Sequence, residues 1–174
     1  NKTLYRYKTI GRTTSFIIKD STIAIHKNAF RGNYRLTSVR IPESVTSIGE
    51  GAFRGCSYLQ SIKLPKNLIT LGDYAFYECE NLNSITLPDS LKTIGEQCFG
   101  LCKCLQSIKI PSEVDSIGPA VFMGCKFLKS ISVQKENKTY DSRENCNAII
   151  KTSENKLIAG CYKTRIPNTI THID

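Results

Sequence analysis

The densest concentration of reactive side chains is "IGEQCFGLCKC", residues 94–104, where Cys98, Cys102 and Cys104 fall within seven positions. Thiols this close together suggest a metal knuckle or a redox centre. His26 and His172 are the only histidines, and Cys146 and Cys161 form a further cysteine pair near the C-terminus. No paired carboxylates, phosphate-cradling glycine loop, HExxH pair or nucleophile elbow accompanies them. Thiol chemistry is therefore the one candidate, and its meaning depends on the elements that carry each cysteine.

Those elements repeat. From Leu36 the chain reads "LTSVRIPESVTSIGEGAFRGCSY", from Leu59 "LQSIKLPKNLITLGDYAFYECEN", from Leu82 "LNSITLPDSLKTIGEQCFGLCKC" and from Leu105 "LQSIKIPSEVDSIGPAVFMGCKF". The columns hold Leu36, Leu59, Leu82, Leu105 and Leu128; Phe53, Phe76, Phe99 and Phe122; Pro42, Pro65, Pro88 and Pro111; and Gly49, Gly72, Gly95 and Gly118. One copy earlier, Ile25 and Phe30 persist while the leucine, proline, glycine and cysteine are lost. A 23-residue unit cannot bury its own apolar side, so stacked copies must share one core, which predicts a solenoid. Within one copy, Leu59, Ile62, Leu64, Leu68, Leu71, Ala75, Phe76 and Cys79 are the inward residues. "SIKL" alternates and reads as a short parallel strand closed by Pro65. A second extended piece is expected at "TLG", with Gly72 allowing a sharp bend into "DYAFYEC", a helical or 3₁₀ turn.

Laid on this frame, Cys56, Cys79, Cys102 and Cys125 form one column and Cys98 belongs to the small-residue column of Ala52, Ala75 and Val121. All five read as small buried hydrophobes rather than ligands. Cys104 falls in the tolerant column of Tyr58, Asn81 and Phe127. The histidines lie about six coils apart, roughly 30 Å of stacked chain, and cannot share a site. No catalytic residue, cofactor site or metal site follows, and an enzyme is not expected.

The columns resemble the BspA-like leucine-rich repeats, a bacterial surface-protein class built from LxxIxLPxxLxxIGxxAFxxCxx units, over residues 16–133. The common leucine-rich pattern LxxLxLxxNxL is not followed, so a buried asparagine ladder is not implied. The expected fold is a β-rich, α/β-type leucine-rich repeat solenoid with short parallel strands and short helical or 3₁₀ turns, plus a β-hairpin insertion near the C-terminus. Residues 1–12 read as the tail of a preceding hairpin, 13–133 as regular repeats, 134–162 as the hairpin insertion and 163–174 as the start of a further repeat. Val133 and Ile166 occupy one column 33 residues apart, which is ten more than the repeat. The chain thus reads as one solenoid from a longer array. In the insertion, "CNAIIKTSENKLIAGC" reads as a hairpin turning near Ser153 and Glu154. That register sets Cys146 opposite Cys161, where a disulfide is possible in an oxidising compartment; a one-residue change in the turn would separate them.

The formal charge of +9 comes from 24 basic residues interspersed with 15 acidic ones. It rests on no basic run, stacking aromatics or nucleic-acid motif, so nucleic acid is not the expected partner. No apolar run approaches the ~20 residues of a membrane-spanning helix, so membrane insertion is not expected. Strand alternation turns Ser38, Ser61, Ser84 and Ser107 outward beside Arg40, Lys63, Thr86 and Lys109, making a serine stripe and a broken basic stripe. Tyr77, Met123 and Phe127 on the loop side are a competing patch. The resemblance implies a secreted or cell-surface bacterial binding module that engages a protein or extracellular-matrix ligand in adhesion. A cell-surface glycan-binding role is the alternative.

Overall fold

The computed structural model describes residues 3–4 and 14–173. In chain order the strands are β1 (Thr3–Leu4), β2 (Ser15–Ile17), β3 (Ala24–Ile25), β4 (Ser38–Arg40), β5 (Ser47–Ile48), β6 (Ser61–Lys63), β7 (Thr70–Leu71) and β8 (Ser84–Thr86). They continue as β9 (Thr93–Ile94), β10 (Ser107–Ile110), β11 (Ser116–Ile117), β12 (Ser130–Val133), β13 (Tyr140–Asp141), β14 (Ala148–Lys151), β15 (Lys156–Gly160) and β16 (His172–Ile173). Most of residues 1–12, expected as a hairpin tail, lie outside the described residues; β1 pairs in parallel with β3.

Each regular coil carries one strand on each of two sides. On the first side β2 pairs with β4, β6 with β8 and β10 with β12, all parallel and one repeat apart. Strand β4 lies against β6, and β8 against β10, without a continuous ladder. The exposed–buried–exposed pattern of β4, β6 and β8 sends Val39, Ile62 and Ile85 inward. On the second side β1, β3, β5, β7, β9 and β11 form a single parallel sheet. Its register stacks Ile25, Ile48, Leu71, Ile94 and Ile117 in one line.

The glycines after this sheet are required for a reason other than the expected bend. A Cβ on Gly72 would lie 2.7 Å from the backbone nitrogen of Glu50, and one on Gly95 2.4 Å from that of Asp73. Close approach of the preceding coil excludes a side chain there, while the Gly72 and Gly95 amides each donate to that coil at 2.8 Å (Ile48 and Leu71 carbonyls).

The turn expected at "DYAFYEC" is not a helix. Local i→i−3 bonds alternate with bonds to the next coil: Ala75 N–H reaches Gly72 O at 3.3 Å, whereas Tyr74, Phe76 and Glu78 N–H donate to Glu96, Cys98 and Gly100 carbonyls at 2.8–2.9 Å. A helix would keep every donor inside its own coil; here every second one joins a third inter-coil ladder. The alternation needs left-handed residues, and they recur in two columns: Asn28, Gly51, Tyr74, Gln97 and Ala120, then Gly32, Gly55, Glu78, Leu101 and Gly124. The defined 3₁₀ turns among the described residues are Arg143–Asn145 and Thr152–Glu154.

The core is a set of single-type ladders. Phe30, Phe53, Phe76 and Phe99 are wholly buried and stack nearly parallel, with centroids 5.0, 5.3 and 5.7 Å apart. Phe122 continues the stack at 5.9 Å, and Phe16 meets Phe30 edge-on at 5.2 Å.

The repeat spacing holds past β12. Asn137 stands 23 residues after Val114 and donates its amide to the Pro111 and Val114 carbonyls, and the Tyr140 hydroxyl accepts the Ile117 N–H. The chain then turns into a sheet ordered β13, β14, β15, β16. Strand β14 is buried on both faces: Ile149 joins the main core, while Ala148 and Ile150 form a second cluster with Cys146 and Leu157. Arg143 ties this sheet together, donating to both Asp141 carboxylate oxygens at 2.9 and 2.6 Å and to Asn155 Oδ1 at 2.9 Å. Burial alone would raise the Asp141 pKa, but the Arg143 and Thr152 hydrogen bonds outweigh it and hold the carboxyl below its ordinary value.

Cutting one rung from the aromatic stack removes contacts on both sides, so Phe76→Ala is expected to lose about 3–5 kcal/mol; a thermal melt equal to the parent's would remove this column from the core. Ala120 is exposed and holds a φ of 52°. Ala120→Gly relieves left-handed strain worth about 1–2 kcal/mol against about 0.5–1 kcal/mol of added chain entropy. A net gain of roughly 0.5–1 kcal/mol and a higher melting temperature are therefore expected, and a lower one would contradict the strain.

Candidate partner-binding face

The first-side strands display what alternation demands. Ser38, Ser61, Ser84 and Ser107 are exposed in one column, and Arg40, Lys63, Thr86 and Lys109 in the neighbouring one. Arg40 faces Asp20 at 3.7 Å, with both side chains largely in solvent, a pair worth at most about 1 kcal/mol. The ammonium groups of Lys63, Lys66 and Lys109 have no ion-pair partner among the described residues.

The face is also grooved. A depression of about 780 Å³ runs across Thr86, Ser107, Lys109, Ser130 and Ser132, with Lys66 and Asp89 at its rim. Another, of about 610 Å³, lies beside Arg40, Lys63, Asp20 and Glu43. Asp89 accepts from Gln134 Nε2 at 3.1 Å and Gln134 Oε1 accepts the Ser112 N–H, which fixes the rim of the larger one. Of the loop-side residues, Tyr77 is half-buried beneath the Arg54 guanidinium, 4.8 Å from its ring centre, while Met123, two coils on in the same column, and Phe127, in another, are exposed.

The cysteine cluster separates into three environments. Cys98 and Cys102 are wholly buried and Cys104 is half-buried. The Cys56, Cys79, Cys102 and Cys125 thiols each donate to the phenylalanine carbonyl of the preceding coil: Phe30, Phe53, Phe76 and Phe99, at 3.0–3.3 Å. These cysteines are hydrogen-bond donors as well as small hydrophobes. In the first coil Asn33 holds the same column but sends its amide to Phe30 O of its own coil, at 2.8 Å. Burial pushes the Cys56 and Cys125 thiols up to about 12 and raises those of Cys79, Cys98 and Cys102 too. The described residues contain no group of three or more His, Cys, Asp and Glu side chains that could hold a metal.

Cys146 and Cys161 are both free thiols, contrary to the expected facing pair. The register begins as expected, with Lys151 opposite Lys156 and Ile150 opposite Leu157, but a bulge then sets Ile149 opposite Ala159 and Ala148 opposite Gly160. The one-residue shift carries Cys146 past Cys161. The Cys161 sulfur turns to the Asn147 carbonyl at 3.5 Å and Cys146 to that of Ala148 at 3.9 Å.

The family model for the BspA type leucine rich repeat region, of six copies, matches residues 7–151. The chain belongs to this family. BspA-type repeats are scaffolds of bacterial surface proteins, generally protein-binding and typically non-catalytic. No curated protein matches the sequence. Among solved structures, the array is similar to a leucine-rich repeat protein of T. pallidum, with 32% identity and a TM-score of 0.72 over 75% of this chain and 62% of that one. It is similar to a leucine-rich cell surface protein of Faecalibacterium prausnitzii, with 28% identity and a TM-score of 0.68 over 83% and 45% of the two chains. The pneumococcal vaccine antigen PcpA shares the fold over 99% of this chain and 44% of its own, with a TM-score of 0.83 at 22% identity. The BspA-type array thus spans less than two thirds of each of these chains.

Alkylation in denaturant without reductant is expected to label all eight cysteines. In the native protein Cys104 and Cys161 should label first, while Cys56, Cys79, Cys98 and Cys102 wait for unfolding. Mass spectrometry that finds six labelled cysteines, with Cys146 and Cys161 protected, would restore the disulfide.

Proposed function

We propose that this array is a non-catalytic binding module of a secreted or surface-exposed bacterial protein. Its partner is a protein or extracellular-matrix ligand that presents an acidic segment to the strand face. The observation carrying this reading is the groove of about 780 Å³ over the serine and basic columns, bordered by ammonium groups that no carboxylate answers. Like charges on neighbouring rungs repel, so Arg40 beside Lys63 gains from an anionic partner. Long-range attraction from the +9 charge would speed that encounter. The surface location draws support from the family and from the F. prausnitzii relative, itself described as a cell surface protein.

Changing Arg40, Lys63 and Lys109 together to glutamate should weaken retention of extracellular-matrix proteins on the immobilised array by about tenfold or more and leave the thermal melt in place. Undiminished retention by a variant that melts normally would move the site off the strand face.

A further inference from the structure

Where each coil enters its first-side strand, a column of different chemistry runs beside the serines. Gln60, Asn83 and Gln106 recur one position before Ser61, Ser84 and Ser107. All three side chains are exposed, and none hydrogen-bonds to another described residue. Their backbones are fixed: Asn83 N–H donates to Gln60 O at 3.0 Å, and Lys129 N–H to Gln106 O at 2.9 Å. Two positions earlier in each coil stand Tyr58, Asn81, Cys104 and Phe127. Asn81 is held by its amide on the Ser57 carbonyl at 2.7 Å. Tyr58 and Phe127, each 57% exposed, stand in this column three coils apart. Gln60, Asn83, Gln106, Asn81, Phe127 and Lys129 border a depression of about 370 Å³.

We propose that this ledge binds a neutral, extended oligosaccharide lying along the solenoid axis. A side-chain amide offers donors and an acceptor within one plane, the pairing that adjacent sugar hydroxyls, each donor and acceptor, complete. Stacked coils set successive amides about 4.8 Å apart, comparable to the advance per sugar of an extended chain, so each of several successive sugars can bring a hydroxyl to an amide. Gln60, Asn83 and Gln106 are uncharged and the nearby Lys103 is paired with Glu80 at 2.7 Å, so these three rungs suit an uncharged ligand, while Lys129 follows on the next rung and stands at the end of the ledge. The exposed faces of Phe127 and Tyr58 suit the apolar face of a sugar ring. This site is separate from the strand face, and neither reading depends on the other.

The test titrates the isotopically labelled chain with cellohexaose, with chitohexaose, with a sulfated hexasaccharide and with an extended neutral peptide. One of the neutral sugars should shift the side-chain amide resonances of Gln60, Asn83 and Gln106, and added salt should not reverse the shift. Asn83→Ala with Gln106→Ala should weaken that binding by about tenfold or more, and Phe127→Ala by severalfold. The Arg40, Lys63 and Lys109 charge-reversal variant should bind the sugar like the parent, which separates failure here from failure on the strand face. If neither neutral sugar moves these resonances, or if only the sulfated sugar or the peptide does, the proposal is overturned.

Discussion

Neighbouring coils must follow the same path about 4.8 Å apart, and nearly every other feature follows from holding that register. It is held on three sides by backbone bonds that run in opposite senses. At the end of the second-side strands Gly49 N–H of the later coil donates to Ile25 O of the earlier, and on the turn side Phe30 N–H of the earlier coil donates to Ala52 O of the later. Each coil is therefore both donor and acceptor to the same neighbour, and a slip would break both sets at once. The close approach excludes even a methyl group at Gly95, and it makes each residue's nearest neighbours members of its own column. A flat ring stacks well on a flat ring, so phenylalanine repeats.

The turn side shows what this register costs and what offsets it. Directing every second N–H to the next coil puts Tyr74, Glu78, Gln97, Leu101 and Ala120 in left-handed conformations, each unfavourable by about 1–2 kcal/mol for a residue with a Cβ. It also turns the phenylalanine carbonyls inward, where an unmet lone pair is unfavourable. The cysteine of the following coil meets that need. A thiol held well above its ordinary pKa by burial stays protonated, and only the protonated form can donate. The burial that makes these cysteines poor nucleophiles and poor ligands is thus what lets them serve the fold.

Most of the architecture was legible in the sequence, because a column of leucine, proline or phenylalanine reports a shared environment directly. Inward Ile62, Leu71 and Phe76 and outward Ser61 and Lys63 follow from alternation alone. Three things were not legible. The turn expected as helical or 3₁₀ keeps its i→i−3 bonds but forms no continuous helix, because inter-coil ladders, which composition does not reveal, capture alternate amides. The role of Gly72 was misassigned because close approach and backbone freedom select the same residue. Cys146 and Cys161 were set opposite each other because one bulge, invisible in the residue types, shifts the hairpin by a single position. Among site residues the amide column stood in plain view in "LQSI", "LNSI" and "LQSI", yet a position just outside the strand carries no alternation signal to mark it.

The same constraint shapes the two surface columns differently. Unit charges one rung apart repel by about 1 kcal/mol even in water, so a basic column cannot repeat without relief. Thr86 interrupts Arg40 and Lys63 before Lys109, and Asp20 answers Arg40. Neutral amides carry no such penalty, and Gln60, Asn83 and Gln106 follow one another on three rungs before Lys129. A column broken by electrostatics presents a few separated charges, which suit a partner with acidic groups at particular points. Three successive amides present one group at a constant interval, which suits a ligand that offers hydroxyls along its length.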